Sequence, residues 1–457
     1  MDFIRNISPI DGRYWAITAP LRPYFSEAAL ISRRLEAECA YLELLCGWPG
    51  TGIRKLTCAE RRKLAAISQG SPSALKKIKK TEAKINHDMK AVEYHLKDEL
   101  EVTSMSGLKE HVHFALTSED INNIAYALML SQALSRVLIP ELNVITKKLS
   151  ALANTHSLTP LLARTHGQSA VGTTFGKEFR VFSERLKRQV SGLRTLTISV
   201  KFSGAAGNYN AHMAAWPAVD WLKFSEKLVK NLNTGLEIKL TLNRFATQID
   251  PHDTYAELFD NLRRTNTVLL NLVQDLWRYI SDGLIIQKPL EREVGSSAMP
   301  QKINPIQFEN AEGNLGLANA LAGFFSAKLP VSRLQRDLSD STVERNFGTA
   351  FAHCLIAYRS VIAGLERMAV DPARSAAMLY DCPEIYAEGI QTILRKHGFN
   401  KPYETLKNLT RGRDIGMTDL KIFVEKLAVK PAVKAELRAM LAKPYIGLAG
   451  NLALMGD

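Results

Sequence analysis

The sequence predicts an all-α protein made of three helical domains. Three observations carry this. Apolar residues recur at steps of three and four over stretches longer than an ordinary helix of three or four turns. Neither strand–helix alternation nor a glycine-rich nucleotide fingerprint is present, which argues against a doubly wound sheet. Hydrophobic residues make up 46% of the 457 positions and charged residues 23%, as in a chain that buries a real core.

The first long pattern is Ala127, Leu130, Leu134, Leu138, Leu142, Ile145, Leu149 and Leu152. Such spacing lines one helix face with apolar side chains. Pro140 interrupts it and should kink or divide the helix. The second runs Phe175, Phe179, Phe182, Leu186, Val190, Leu193, Leu196, and the third Leu258, Leu262, Leu269, Leu272, Leu276, Ile280. A fourth spans Ile306 to Leu329 through Phe308, Ala311, Leu315, Ala318, Ala322 and Phe325. Several long amphipathic helices in succession imply a bundle. The expected division is 1–110, mixed and basic; 111–365, carrying the long helices; and 366–457, where patterns shorten and GFNKPYE and LTRGRDIGM mark turns.

Composition narrows the function. No segment reaches the ~20 apolar residues of a membrane span, and MDFIRNISPIDGRYW lacks a signal peptide's apolar run and cleavage site. A cytoplasmic protein without a membrane partner is expected. Cys39, Cys46, Cys58, Cys354 and Cys382 are odd in number with no C-x-x-C pair, so free thiols are expected. The net charge of +13 admits nucleic acid or a strongly anionic small molecule as partner. The basic runs RKLTCAERRKLAAI and ALKKIKKTEAK carry no interleaved aromatics, so no base-stacking surface is expected.

Four segments could carry chemistry. GSSAMPQKINP, residues 295–305, reads as a loop feeding a helix, with Asn304 as N-cap and Pro305 in first position. Free N–H groups at such a terminus favour anions, and Lys302 adds a full charge. Arg164-Thr165-His166-Gly167-Gln168 places a histidine among polar residues, off any apolar stripe. Asn86-His87-Asp88, on an expected helix, sets a carboxylate beside a histidine, either to position a proton carrier or as a surface ion pair. Ser332–Asp337 and Asp340–Arg345 combine arginines with hydroxyls, suited to a carboxylate or phosphate or to a surface ion-pair network. Thr117, Ser118, Glu119 and Asp120 read as an N-cap with acidic first-turn residues. His111 and His113 have no further ligands at metal-site spacing, so no metal is expected.

Together these segments resemble the adenylosuccinate lyase family of the bacterial type, within the fumarase/aspartase superfamily. GSSAMPQKINP resembles the superfamily's signature loop. SPIDGRY, KTEAKINHDMKAVEYHL, FALTSEDINN, LLARTHGQ, GAAGNYNAH, ATQIDPHDTYAELFD, NPIQFENAEGN, KLPVSRLQRDLSDSTVERN and KPYETLKNLTRG extend the resemblance along nearly the whole chain. It implies β-elimination of fumarate from adenylosuccinate and from SAICAR in purine biosynthesis, without metal or organic cofactor. It also implies a homotetramer in which the long helices form a shared helical core and each active site combines segments of three subunits.

The resemblance assigns roles residue by residue. His166 matches the general acid and Ser296 the general base, on a mobile loop. Arg13, Tyr14, Arg336, Ser341 and Arg345 match nucleotide and phosphate contacts. Asn86, His87 and Asp88 match the segment supporting the acid and holding substrate. Thr117, Ser118, Lys302 and Asn304 match carboxylate binders, and Gln248 and Asn310 polar substrate contacts. A serine base is physically demanding. A hydroxyl pKa comparable to bulk water's, roughly 15.7, lies nearly nine units above neutrality, on the order of 12 kcal/mol. A helix N-terminus supplies at most about 2 kcal/mol of that, so Lys302 and exclusion of water on loop closure must supply much of the rest. Gln301 and Gln307 stand where relatives often carry His and Asp. The competing readings are a sister lyase acting on argininosuccinate or aspartate, which the phosphate-matched set disfavours, and a basic helical nucleic-acid-binding protein, for which no reading motif exists.

Overall fold

The structure, a computed structural model, describes residues 3–289, 299, 301–410 and 415–456. It is 66% helical. The expected long helices form at Ser118–Ala133 and Ile139–Thr155, Phe175–Thr195, Asp253–Ser281 and Ile306–Lys328. Phe347–Arg367 is another. Pro140 acts as its chemistry demands. Its ring conflicts with a regular turn before it, and a π-helical turn, Leu134–Leu138, joins the two helical stretches there.

The described residues also form six short strands, which the periodicity did not show. They pair as three two-stranded sheets: β1 (Pro160–Thr165) antiparallel to β2 (Gln168–Thr174), β3 (Thr197–Val200) parallel to β4 (Lys239–Leu242), and β5 (Ile285–Gln287) antiparallel to β6 (Met368–Val370). At three to seven residues each, they are too short to give a clear period-2 pattern.

The chain divides into two compact units. The first comprises 1–142, 189–267 and 311–359. Its N-terminal core gathers Cys39, Leu42, Leu64, Leu96, Leu100 and Leu108. A second focus is aromatic. Phe347 has Phe259, Phe325, Tyr255 and Tyr126 rings centred 5.0, 5.4, 5.6 and 5.8 Å away. Such tilted and edge-on pairs add to their area burial. The second unit comprises 143–188, 268–310 and 360–457. Its core joins Leu162 of β1 to Leu379, Ile390, Leu394, Leu420 and Leu437.

The stretches Ser118–Thr155 and Ser339–Arg367 do reach the length and hydropathy of a membrane span, contrary to the sequence expectation. In each, 72% of the apolar window is buried inside the fold, as in core helices. The five cysteines are free thiols, and Cys39, Cys46 and Cys354 are buried.

Candidate active site

In the first unit, Asn86-His87-Asp88 is not helical throughout. Asn86 ends the Pro72–Ile85 helix in the left-handed conformation, φ 54°, and His87 caps the Asp88–Glu101 helix by accepting the Lys90 N–H on Nδ1, 3.1 Å. That leaves Nε2 as the ring's N–H, exposed to solvent. Asp88 Oδ2 meets Arg34 Nη2 at 2.7 Å and Arg345 Nη2 at 3.0 Å. Burial opposes ionisation of Asp88, but the Arg34 guanidinium and further hydrogen bonds prevail and hold its pKa at about 2. The surface ion pair considered from sequence is thus a partly buried triad.

Arg345 also lines a cavity of about 240 Å³ with Ser8, Asp11, Arg22, Ser26 and Thr349. Its lining mixes hydroxyls and two guanidinium groups, suited to an anion, with the Asp11 carboxylate opposing. Arg13 is exposed and Tyr14 half-buried, between the lining residues Asp11 and Arg22 in the chain.

Thr117 begins the Ser118–Ala133 helix as expected. Its N–H donates to Asp120 Oδ2 at 2.9 Å. Arg336 Nη1 donates to Gln248 Oε1 at 3.2 Å, and Gln248 Nε2 donates to the Ala205 carbonyl at 3.2 Å. The structure therefore brings Arg336 and Gln248 together, as it does Asp88 and Arg345. Ser341 lies half-buried on the short Ser339–Glu344 helix, where its N–H donates to Asp340.

In the second unit, His166 and Gly167 form the two-residue tip of the β1–β2 hairpin, with Thr165 paired to Gln168. Both tip residues have positive φ, 53° and 75°, the signature of a type I′ turn. His166 is exposed there. Behind it Arg164 is fixed to Asp282 at 2.8 Å. Lys302 is exposed and Asn304 half-buried just before the Ile306–Lys328 helix. The helix is capped one residue later than expected: the Pro305 carbonyl accepts the Phe308 N–H at 3.0 Å. Asn310 donates to Ser360 Oγ at 2.7 Å. Ser296 lies outside the described residues.

Comparison with known proteins now decides the family. The chain is 46% identical over 452 residues, 98% of both chains, to an adenylosuccinate lyase of Legionella pneumophila (strain Corby). It is 44% identical to one from Dictyostelium discoideum and 42% identical to one from Escherichia coli (strain K12), each over 97% of this chain and 96% of the relative. The chain belongs to the adenylosuccinate lyase family. Membership makes it an enzyme, a fumarate-releasing lyase. The Lyase family matches residues 55–319, and the adenylosuccinate lyase C-terminal family matches residues 332–446. Two solved structures share the fold: a fumarate lyase from Mesorhizobium sp. BNC1 (TM-score 0.74, 20% identity, 96% and 98% of the chains) and the 3-carboxy-cis,cis-muconate lactonizing enzyme from Pseudomonas putida (0.72, 21%, 95% and 95%).

Beside the residues that resemblance picked out, this family member carries a buried polar cluster that sequence reading missed. Glu119, His252, Asp340 and Glu344 are all under 4% exposed. Donor atoms of Glu119, His252 and Glu344 lie within 4.8 Å of one another. Metal-type donors thus gather where no sequence spacing showed them, although Arg336 Nη2, 3.0 Å from Glu119 Oε2, already supplies positive charge. His113, weighed as a ligand, instead pairs its Nδ1 with buried Glu38 Oε1 at 2.5 Å. In the sequence, Glu119 reads only as a first-turn acid. Its burial depends on Arg336, more than two hundred positions away, and local pattern does not carry that distance.

Proposed function

We propose that this chain eliminates fumarate from adenylosuccinate, giving AMP, and from SAICAR, giving AICAR. In this reading a base removes a carbon-bound proton beside a carboxylate, and the C–H electron pair becomes the double bond of fumarate. The C–N bond breaks, and His166 gives its proton to the leaving nitrogen. A histidine suits that task near neutral pH. Ser296 is the base, with Lys302 holding negative charge beside it. The substrate needs hosts for a phosphate and two carboxylates. Arg13, Tyr14, Arg336, Ser341 and Arg345 serve the nucleotide and phosphate, while Thr117, Ser118, Lys302 and Asn304 serve the carboxylates. Gln248 and Asn310 add polar contacts, and Asn86, His87 and Asp88 support the acid. No metal or organic cofactor enters these steps.

The proposal includes a cytoplasmic homotetramer whose active sites combine segments of three subunits, and the domain division 1–110, 111–365 and 366–457. The observation that carries the activity is the likeness to adenylosuccinate lyases over 98% of both chains. The exposed histidine at a two-residue hairpin tip supports the acid assignment, because a proton donor must be able to reach its substrate.

The test is turnover by the purified protein. Adenylosuccinate and SAICAR should each show the ultraviolet change of elimination with stoichiometric fumarate. Argininosuccinate and aspartate, assayed alongside, should not react. Folded protein that turns over neither ribotide, or prefers argininosuccinate or aspartate, overturns the reading. Ser296→Ala should keep substrate binding and lose chemistry, and wild-type turnover in that variant would reassign the base.

A further inference from the structure

Glu119 follows Ser118 in the first turn of its helix, and its side chain turns inward, fully buried. Arg336 brings its Nη2 to 3.0 Å from Glu119 Oε2. Neither Glu119 oxygen makes an aligned hydrogen bond to another described residue, so the contact with Arg336 is a buried ion pair. Arg336 is itself only 12% exposed. Its Nη1 holds Gln248 and its Nε lies 3.5 Å from Asp340 Oδ2. Glu344, His252 and Lys201 also face Glu119 from neighbouring segments.

The arrangement has a direction. An arginine carries its charge on a long, rotatable stem, and a planar guanidinium is useful only when its orientation is fixed. Gln248 fixes one edge. Asp340 is a longer contact. Glu119 provides the shortest charged one, and it stands beside Thr117 and Ser118 on the same helix start. Burying a carboxylate is costly, so its retention there calls for a return.

We infer that Glu119 is a positioning residue for the elimination: its buried carboxylate sets Arg336, and through Arg336 sets Gln248, for substrate. This rests on the reading of Arg336 and Gln248 as substrate contacts. Glu119 touches no substrate itself.

The test compares steady-state kinetics on adenylosuccinate for Glu119→Gln, Glu119→Asp, Arg336→Met and the Glu119→Gln/Arg336→Met double variant. Folding is checked by circular dichroism and size exclusion. Glu119→Gln should raise KM about tenfold or more with kcat within about threefold, and Glu119→Asp, which keeps the charge, should recover most of that KM. The double variant should match Arg336→Met, because the effect of Glu119 runs through Arg336. Wild-type KM in folded Glu119→Gln overturns the inference. If Glu119→Gln does not fold, the double variant still decides, since its two charges leave together: a KM about tenfold above that of Arg336→Met overturns the inference. Wild-type kinetics in Arg336→Met would instead remove Arg336 from the site, a separate failure.

Discussion

Lys201 Nζ lies 2.7 Å from Asp120 Oδ1, and both side chains are fully buried. The same Asp120 oxygen accepts the Ser203 and Gly204 N–H groups at 3.0 and 3.2 Å, while its partner oxygen accepts that of Thr117. Lys201 Nζ also donates to the Gly204 carbonyl at 2.6 Å. One ion pair therefore ties the start of the Ser118–Ala133 helix to the segment after β3.

Lys201→Met tests that tie. It leaves a buried carboxylate without its cation, a loss of about 3–5 kcal/mol. The denaturant midpoint should fall accordingly. Adding Asp120→Asn should recover part of the loss, because no lone charge then remains buried. A wild-type midpoint in Lys201→Met would show that the pair holds nothing.

Asp88 gives an acid-dependent prediction. Its folded pKa, about 2, lies below its ordinary 3.8. A depressed carboxyl stabilises the fold above its unfolded pKa and loses that contribution as pH falls through the folded value. The shift is worth roughly 2 kcal/mol at neutral pH. Asp88→Asn should therefore be less stable than wild type at pH 7 by about that amount, with the gap narrowing below pH 3.8. A gap independent of pH, followed by chemical denaturation, would show that the charge of Asp88 is not what holds Arg34 and Arg345.

Glu119 predicts the opposite slope. Burial raises its carboxyl, with Arg336 opposing, to about 7 from 4.5, and burial raises Glu344 as well. A raised carboxyl weakens the fold as pH climbs from its unfolded to its folded pKa. Glu119→Gln should gain stability relative to wild type as pH rises from 4.5 to about 7, and gain nothing further above that. The attraction of Arg336, which opposes the rise, limits that gain. Parallel stability–pH curves for the two proteins would refute the shared burial of these acids.

What the sequence made legible follows from how local each cause is. The Phe175 and Ile306 helices were readable because a 3.6-residue period is written in neighbouring positions, and Thr117 because a cap is a four-residue event. Helical periodicity does not reveal the hairpin around His166, although Thr165-His166-Gly167-Gln168 carries the Xaa-Gly pair that a two-residue turn favours. The helix expected through Asn86 breaks there, at a left-handed residue that leaves no periodic trace in the sequence. Asp88 with Arg345, Arg336 with Glu119 and Lys201 with Asp120 are long-range pairs, and only folding brings them together. Resemblance suggests roles for Arg336 and Arg345; it does not point to their carboxylate partners.

The hairpin tip separates chemistry from architecture at His166. A residue other than glycine held at positive φ costs about 1–2 kcal/mol, and His166 sits at φ 53° beside Gly167 at 75°. Asparagine accepts this conformation readily but cannot carry a proton at neutral pH. His166→Asn should therefore melt at or above the wild-type temperature while kcat falls by about 10²–10⁴, the usual contribution of a general acid. Gly167→Val should do the reverse in part, straining the turn by roughly 1–2 kcal/mol and lowering kcat by misdirecting an intact imidazole. If His166→Asn turns over like wild type, the imidazole is not the acid. If it loses stability and activity together, His166 is a structural residue of the turn, and the proton for the leaving nitrogen comes from another group.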